Sequence, residues 1–382
     1  MSNRDIVLKT YILNILQVLS MGLFNIVVPI VVGFDNYGYY ISVFAVPGFF
    51  VALLETRFLI GSDKTVNILN VVLLLFTVLI FNWVLLGFDS IIFTVIIFCI
   101  LFFRSTVYVF VVKLSSIYFK SVYIKSELFS MIIFIVSFLF VYVFDFFNLY
   151  SIFLFFVIQN LSFSLCGLFL LFKIMKKNRN GYIFPIICFQ ISRVSFGFRQ
   201  LSLMCNYRLF EDFIFTFSPL LLSLSGGNYL AGVYKYYTSI LKLCIKLYPI
   251  RYETYFDLCA CFNRVKLRKL LYFNFIVSTF IFICSCFIFI MVTNEFIVID
   301  SIKLEYGFLS MLVISPFLAF VIAAFPNKIN ENKKIIMLQA VTLISLGVFS
   351  QFYNEIYGFL VSIITLIYFS FFYSDLSKNI KR

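Results

Sequence analysis

FIFTFSPLLLSLSGGNYLAGVYKYYTSILKLCIKLYPIR, residues 213–251, decides how the chain is read. Two apolar runs meet at Gly226-Gly227-Asn228, a turn signal, and the second run carries Lys235, Lys242 and Lys246. The stretch therefore reads as two membrane helices joined by a tight turn. A shorter echo lies at residues 24–57, FNIVVPIVVGFDNYGYYISVFAVPGFFVALLETR. Each copy has a proline (Pro29, Pro219), then a turn, then Gly-x-Tyr (Gly38 and Tyr40, Gly232 and Tyr234), and an arginine 17 residues after the tyrosine (Arg57, Arg251). Proline and tyrosine are 11 residues apart in the first copy and 15 in the second, so the turn regions differ by four residues.

The flanking chain supports a duplication. Of 382 residues, 63% are hydrophobic and 12% charged, and the mean hydropathy is +1.06. A water-soluble fold of this size has no use for so much apolar surface. Continuous apolar runs of about 20 residues match helices that cross a hydrocarbon layer, and the alternation expected of an outer-membrane barrel is missing. The net charge of +13 is spread between the apolar runs rather than gathered in one patch, which argues for topology determinants over a nucleic-acid surface. With no histidine, the chain has no histidine–zinc site, bis-histidine haem or serine–histidine catalysis. The nine cysteines are scattered; Cys259 and Cys261, and Cys284 and Cys286, are the close pairs, and neither has metal-ligand spacing. No Gly-rich nucleotide loop is present, so no cofactor is expected.

Twelve spans are predicted, at roughly 11–33, 38–55, 66–87, 91–112, 128–144, 151–172, 202–226, 229–250, 271–293, 306–325, 335–351 and 357–373. The first is too long for a signal-peptide core and reads as a retained span. Alternate connections are short and acidic, with Asp35, Asp89, Asp145, the Gly-Gly-Asn turn, Glu295 with Asp300 and Glu305, and Glu355. Of the Lys and Arg, Lys303 alone falls in one of these connections, so both termini are expected in the cytoplasm. The reading is an all-α polytopic membrane protein of about twelve helices. Residues 1–175 form an N-terminal six-helix lobe, 176–201 a cytoplasmic linker and interfacial helix, and 202–382 a C-terminal six-helix lobe. Six spans per half make the lobes parallel, one of the repeat arrangements of secondary transporters.

A charge at the centre of a span costs about 2.5–3.5 kcal/mol on insertion scales, so each one needs a reason. Lys235, Lys242 and Lys246, spaced seven and four apart, form one stripe of a helix, with Tyr234 at its outer end. They are either a cationic wall for an anionic substrate, with Tyr234, Arg104 and Arg208 as further candidate substrate contacts, or, nearer the cytoplasm, lysines extending to the interface. Arg208 and Asp212, four apart, pair on one face; Asp212 or Glu211 is either an ion-coupling carboxylate or part of a juxtamembrane cap. Glu55 and Asp145 stand at span ends as further carboxylates, and Arg104 interrupts the fourth span. Gln159 and Asn160 read as interhelical hydrogen-bonding residues. Pro29 and Pro219 each remove a backbone bond and are candidate hinges, unless their kinks serve packing alone. The 55 phenylalanines suit a lipid-facing surface.

The twelve spans, the paired proline and Gly-x-Tyr elements, and SPLLLSLSGGNYLAGVYKYYTSILKL at the head of the second half resemble O-antigen flippases. These are bacterial polysaccharide transporters of the multidrug and oligosaccharidyl-lipid exporter superfamily. The resemblance covers the whole chain in architecture, and at residue level it rests on residues 219–243 and 29–45. It implies a MATE-like pair of lobes around a central cavity in the bacterial inner membrane. It also implies transfer of an undecaprenyl-pyrophosphate-linked O-antigen or capsule repeat unit to the periplasmic leaflet by alternating access, coupled to an ion gradient. The implied partners are that substrate, membrane lipids and the O-antigen polymerase, with the chain a monomer and not an enzyme. Lys235 carries over as the cation engaging the substrate. The first half departs from the pattern, since Ile41 follows Tyr40, so a second cation falls to Arg104. A membrane-embedded polymerase would need a substantial outside loop, and the outside connections are short. An exporter of cationic drugs would be repelled by Lys235 and Lys242.

Overall fold

The computed structural model describes residues 23–53, 65–87, 91–112, 116–146, 148–177, 186–188, 213–247, 276, 279–280, 283, 302–314, 317–318, 321, 333–352 and 356–381. A π turn, Leu23–Val27, runs into α1 (Val28–Val32), and Gly33 separates α1 from α2 (Phe34–Leu53). β1 (Thr65–Asn67) leads into α3 (Ile68–Leu86), followed by α4 (Ile91–Val112), α5 (Ser116–Val143) and α6 (Leu149–Lys177). After β2 (Ile186–Cys188), a second π turn, Phe213–Phe217, opens α7 (Ser218–Leu247). Then come α8 (Ile302–Val313), α9 (Lys333–Phe352) and α10 (Tyr357–Lys381). Among the described residues the fold is all-α apart from β1 and β2. These pair in parallel, Thr65 opposite Ile186 and Asn67 opposite Cys188, and tie the segment ahead of α3 to the segment after α6.

The chain divides into two compact units, Met1–Arg208 and Leu209–Arg382. The described part of each unit opens with the same device. A five-residue π turn is followed by a helix with proline second, Pro29 or Pro219. The helix stops at a glycine of positive φ: Gly33 at φ 89, ψ 148, and Gly227 at φ 86, ψ 170. That region is essentially closed to side-chain-bearing residues. The chain reverses there, as its hydrogen bonds require. The Tyr37 hydroxyl reaches Asn25 Oδ1 at 2.8 Å, and Lys235 Nζ reaches the Phe215 carbonyl at 2.6 Å. A straight helix would hold those pairs about 18 and 30 Å apart. Gly-x-Tyr begins five residues after the turning glycine in both units, and its tyrosine stands seven after it. Proline lies four residues before that glycine in the first unit and eight before it in the second. The four-residue difference read from the sequence is therefore one extra helical turn ahead of Gly227 in the second unit, not a longer loop.

In the first unit α6 packs on α5, α4 and α2. Aromatic rings fill the contact: Phe155 meets Phe134 edge-on at 5.9 Å, Phe153 stacks on Phe93 at 4.4 Å, and Tyr40 meets Phe153 at 5.1 Å. Some phenylalanines are thus core residues, while others, among them Phe76, Phe129, Phe140 and Phe169, are exposed as the sequence suggested. Among the described residues, two helices are long and apolar enough to cross a membrane, over Val122–Val143 in α5 and Tyr150–Ile174 in α6. Between them Asp145, at φ 53, closes the helix end with Phe146 N–H on the Val141 carbonyl, and Asn148 Oδ1 accepts from Ser151 N–H to start α6. The outer face of α5 exposes Phe129, Ile132, Val136, Leu139 and Val143 at helical spacing. A stripe of that kind suits hydrocarbon rather than water.

In the second unit α8 and α10 meet backbone to backbone. A Cβ placed on Gly358 would lie 2.6 Å from the Gly307 carbonyl oxygen, and along the same contact Ser310 and Ser362 hydroxyls meet at 2.9 Å. Close approach through small residues is how helices associate where lipid removes the hydrophobic drive. Gly358→Ala is expected to push α10 off α8 and cost about 1–3 kcal/mol. Thermal unfolding in detergent checks this, with Gly347→Ala as the control, since a Cβ there meets nothing within 4 Å.

Candidate functional site: a buried ion pair and a lysine-held π turn

The first unit holds an ion pair inside its helices. Arg104 of α4 places its guanidinium 3.4 Å from Glu127 Oε2 on α5 and donates to Asn160 Oδ1 on α6 at 2.7 Å. The guanidinium carbon also sits 4.7 Å above the Phe163 ring, a cation–π contact. Asn160 is oriented for this role, because its Nδ2 donates to the Phe156 carbonyl one turn back, turning Oδ1 toward Arg104. The Glu127 side chain is 4% exposed and that of Arg104 25%. Pairing offsets the cost of putting either charge among apolar helices. Gln159 likewise bridges helices, donating to Met131 Sδ.

Glu127 was not among the sequence candidates. Hydropathy starts the fifth span at residue 128, with the carboxylate at its edge, whereas the apolar stretch of α5 runs from Val122 and encloses it. One signal was legible: Arg104, stranded in an apolar run, required a counter-ion.

In the second unit Lys235 and Lys242 both reach the π turn. An N–H at residue 219 would bond the carbonyl of residue 215 in an α pattern, or of residue 214 in a π pattern; proline has none. Those two carbonyls find other donors. Lys235 Nζ donates to the Phe215 carbonyl at 2.6 Å, and the Tyr234 hydroxyl donates to the Ile214 carbonyl at 3.3 Å. Lys242, two turns further, lies 5.1 Å over the Phe215 ring. Tyr357 of α10 donates to Ser218 Oγ at 2.8 Å and stands edge-on to Tyr234 at 5.5 Å. Tyr234, proposed from sequence as a substrate contact, is 1% exposed. It holds the turn.

The candidate hinge prolines sit at the changeover from π to α, second in α1 and α7. Pro47 is the proline inside α2. Asp145 stands exposed in the α5–α6 turn. Lys246 lies in α7, with its side chain outside the described residues. Glu55, Arg208, Glu211 and Asp212 lie outside the described residues.

No family model, curated protein or solved structure matches the chain.

Proposed function

We propose that the chain is a transporter of the bacterial inner membrane. In this reading it moves an undecaprenyl-pyrophosphate-linked oligosaccharide, an O-antigen or capsule repeat unit, from the cytoplasmic to the periplasmic leaflet. Twelve spans form two MATE-like six-helix lobes with both termini in the cytoplasm, and alternating access is coupled to an ion gradient. The chain works as a monomer beside the O-antigen polymerase and catalyses no bond change itself. The observation that carries the reading is the repeated hairpin: π turn, proline, turning glycine and Gly-x-Tyr at the head of each unit. Internal repeats with interrupted helices are a hallmark of secondary transporters. Intramembrane charges at Arg104, Glu127 and Lys235 add the polar groups that such proteins place on substrate and ion paths.

The test is to delete the gene in its host and locate the lipid-linked sugar that accumulates. The expected result is single repeat units on the cytoplasmic leaflet and loss of surface polysaccharide. Units that reach the periplasmic leaflet unpolymerised would assign the chain to polymerisation. No change in either would remove both readings and leave drug export to be assayed.

A further inference from the structure

A groove of about 660 Å³ opens between α5 and α6, beside the turn that joins them. Its volume falls within the roughly 300–1,000 Å³ of small-molecule sites. Away from the turn it is lined by Val136, Leu154 and Ile158, and at the turn by Phe146, Asn148 and Tyr150. Val136, Phe140 and Leu154 are exposed, so the groove faces away from the core of its unit. From Leu149, the first residue of α6, to Ile158 the helix rises about 14 Å. One leaflet of a hydrocarbon layer about 30 Å thick has nearly that depth, about 15 Å. The groove thus runs from the helix ends to about the midplane, which is the path of a single acyl chain.

The mouth adds a headgroup chemistry. Asp145 is exposed in the turn, and its carboxylate takes no part in the cap of α6, where Ser151 N–H donates to Asn148 Oδ1 at 2.8 Å. That bond commits the amide oxygen and leaves Nδ2, with two N–H donors, as the group Asn148 offers outward. Tyr150, exposed beside it, adds a phenol. Rings flank the carboxylate: Phe144 packs on Phe140 at 4.6 Å and stacks on Phe146 at 6.1 Å. Aromatic faces attract a cation. Between Lys125 and Lys173 the sequence has no basic residue, so the lysines of α5 and α6 all lie toward the helix ends remote from the turn. Neutral donors and one carboxylate, with no cation beside them, match a headgroup that carries its own positive charge.

We propose that the groove holds one phospholipid of the zwitterionic, primary-amine class. An acyl chain lies between α5 and α6, Asn148 and Tyr150 donate to the phosphate, and the ammonium meets Asp145 and its flanking rings. A primary ammonium donates to a carboxylate in a charge-assisted bond, whereas a trimethylated one has no N–H to give. An anionic lipid would bring its phosphate to a carboxylate with nothing to offset either charge. The site requires α5 and α6 to cross a membrane and is independent of what the chain transports.

The test reads the groove by fluorescence in full-length protein reconstituted into phosphatidylcholine vesicles. Trp83→Phe removes the single tryptophan of the chain, and Phe140→Trp places one in the groove. Phosphatidylethanolamine or phosphatidylglycerol with brominated chains, which quench tryptophan on contact, is then added at rising mole fraction. Quenching by phosphatidylethanolamine is expected to be half-complete at about a tenfold lower mole fraction than quenching by phosphatidylglycerol. Adding Asp145→Asn should abolish that preference while both lipids still quench. Asparagine tolerates the φ of 53 at this position, so the turn is kept. Ser137→Phe, which fills the groove, should leave quenching that rises in simple proportion to mole fraction, as at any lipid-facing position.

Equal quenching by the two lipids, a preference that survives Asp145→Asn, or saturable quenching that survives Ser137→Phe would each overturn the proposal. Quenching by neither lipid would overturn it as well, and would mean that protein, such as a second copy of the chain, covers the groove. A preference beside an unchanged deletion strain would keep the lipid site and remove the transport reading.

Discussion

Arg104→Leu is expected to lose most of its folded protein, and the pairing of that change with Glu127→Leu to recover it. The single change takes the paired guanidinium from a carboxylate whose side chain is 4% exposed and removes the donor that Asn160 Oδ1 receives. Breaking one side of a buried pair costs about 3–5 kcal/mol, whereas replacing both partners by apolar residues is often neutral or stabilising. The two leucines fall among apolar helices and beside Phe163. Thermal unfolding in detergent and membrane abundance read the outcome. Transport is expected to stay absent in both variants, because the double restores packing without restoring the charges. A single variant as stable as wild type would mean that Glu127 has no need of Arg104.

The second large effect is at Lys235. Lys235→Ala is expected to abolish transport while leaving membrane abundance normal, and retained full activity with Lys242→Gln added would sink the cationic-wall reading. The structure makes a sharper version possible, because Lys235 also satisfies a carbonyl that Pro219 leaves without its α-helical donor. An unpaired carbonyl of that kind costs about 1–3 kcal/mol, so loss of activity in the single variant has two explanations. Pro219→Ala restores the N–H. In the Pro219→Ala, Lys235→Ala double variant, the π turn can satisfy the Phe215 carbonyl from within its own helix. Continued loss of transport in a stable double variant makes the ammonium itself essential. Recovery would reduce Lys235 to a brace for the turn.

What the sequence revealed and what it hid divide along physical lines. The duplicated hairpin was legible because glycine and proline impose backbone constraints wherever they occur. The lysine stripe was legible because helical spacing fixes which side chains share a face. The π turns were not, since 213–217 and 23–27 are apolar runs that would serve an α-helix equally well. Nor was the partner of the stripe legible, because the link from Lys235 to Phe215 depends on the chain reversing at Gly227. The ion pair was hidden for a different reason. Span boundaries drawn by hydropathy stop at charges, so a charge compensated by another helix is assigned to the edge. Glu127 is 23 positions from Arg104, and only the packing of α4, α5 and α6 brings them together.

The extra helical turn ahead of Gly227 has a consequence for how such a protein changes over time. A turning glycine separates two stretches that answer to different demands. Everything after it must keep Gly-x-Tyr in register with the rest of its unit, and both units hold that spacing at seven residues from glycine to tyrosine. The arm before it is free to lengthen, provided growth comes in whole turns of about 3.6 residues, so that the same side faces inward. Four residues satisfy that rule to within about 40°. The two halves of the molecule could therefore drift apart in the reach of their hairpins while the inner machinery stayed fixed, with one glycine serving as the joint at which inheritance and improvisation meet.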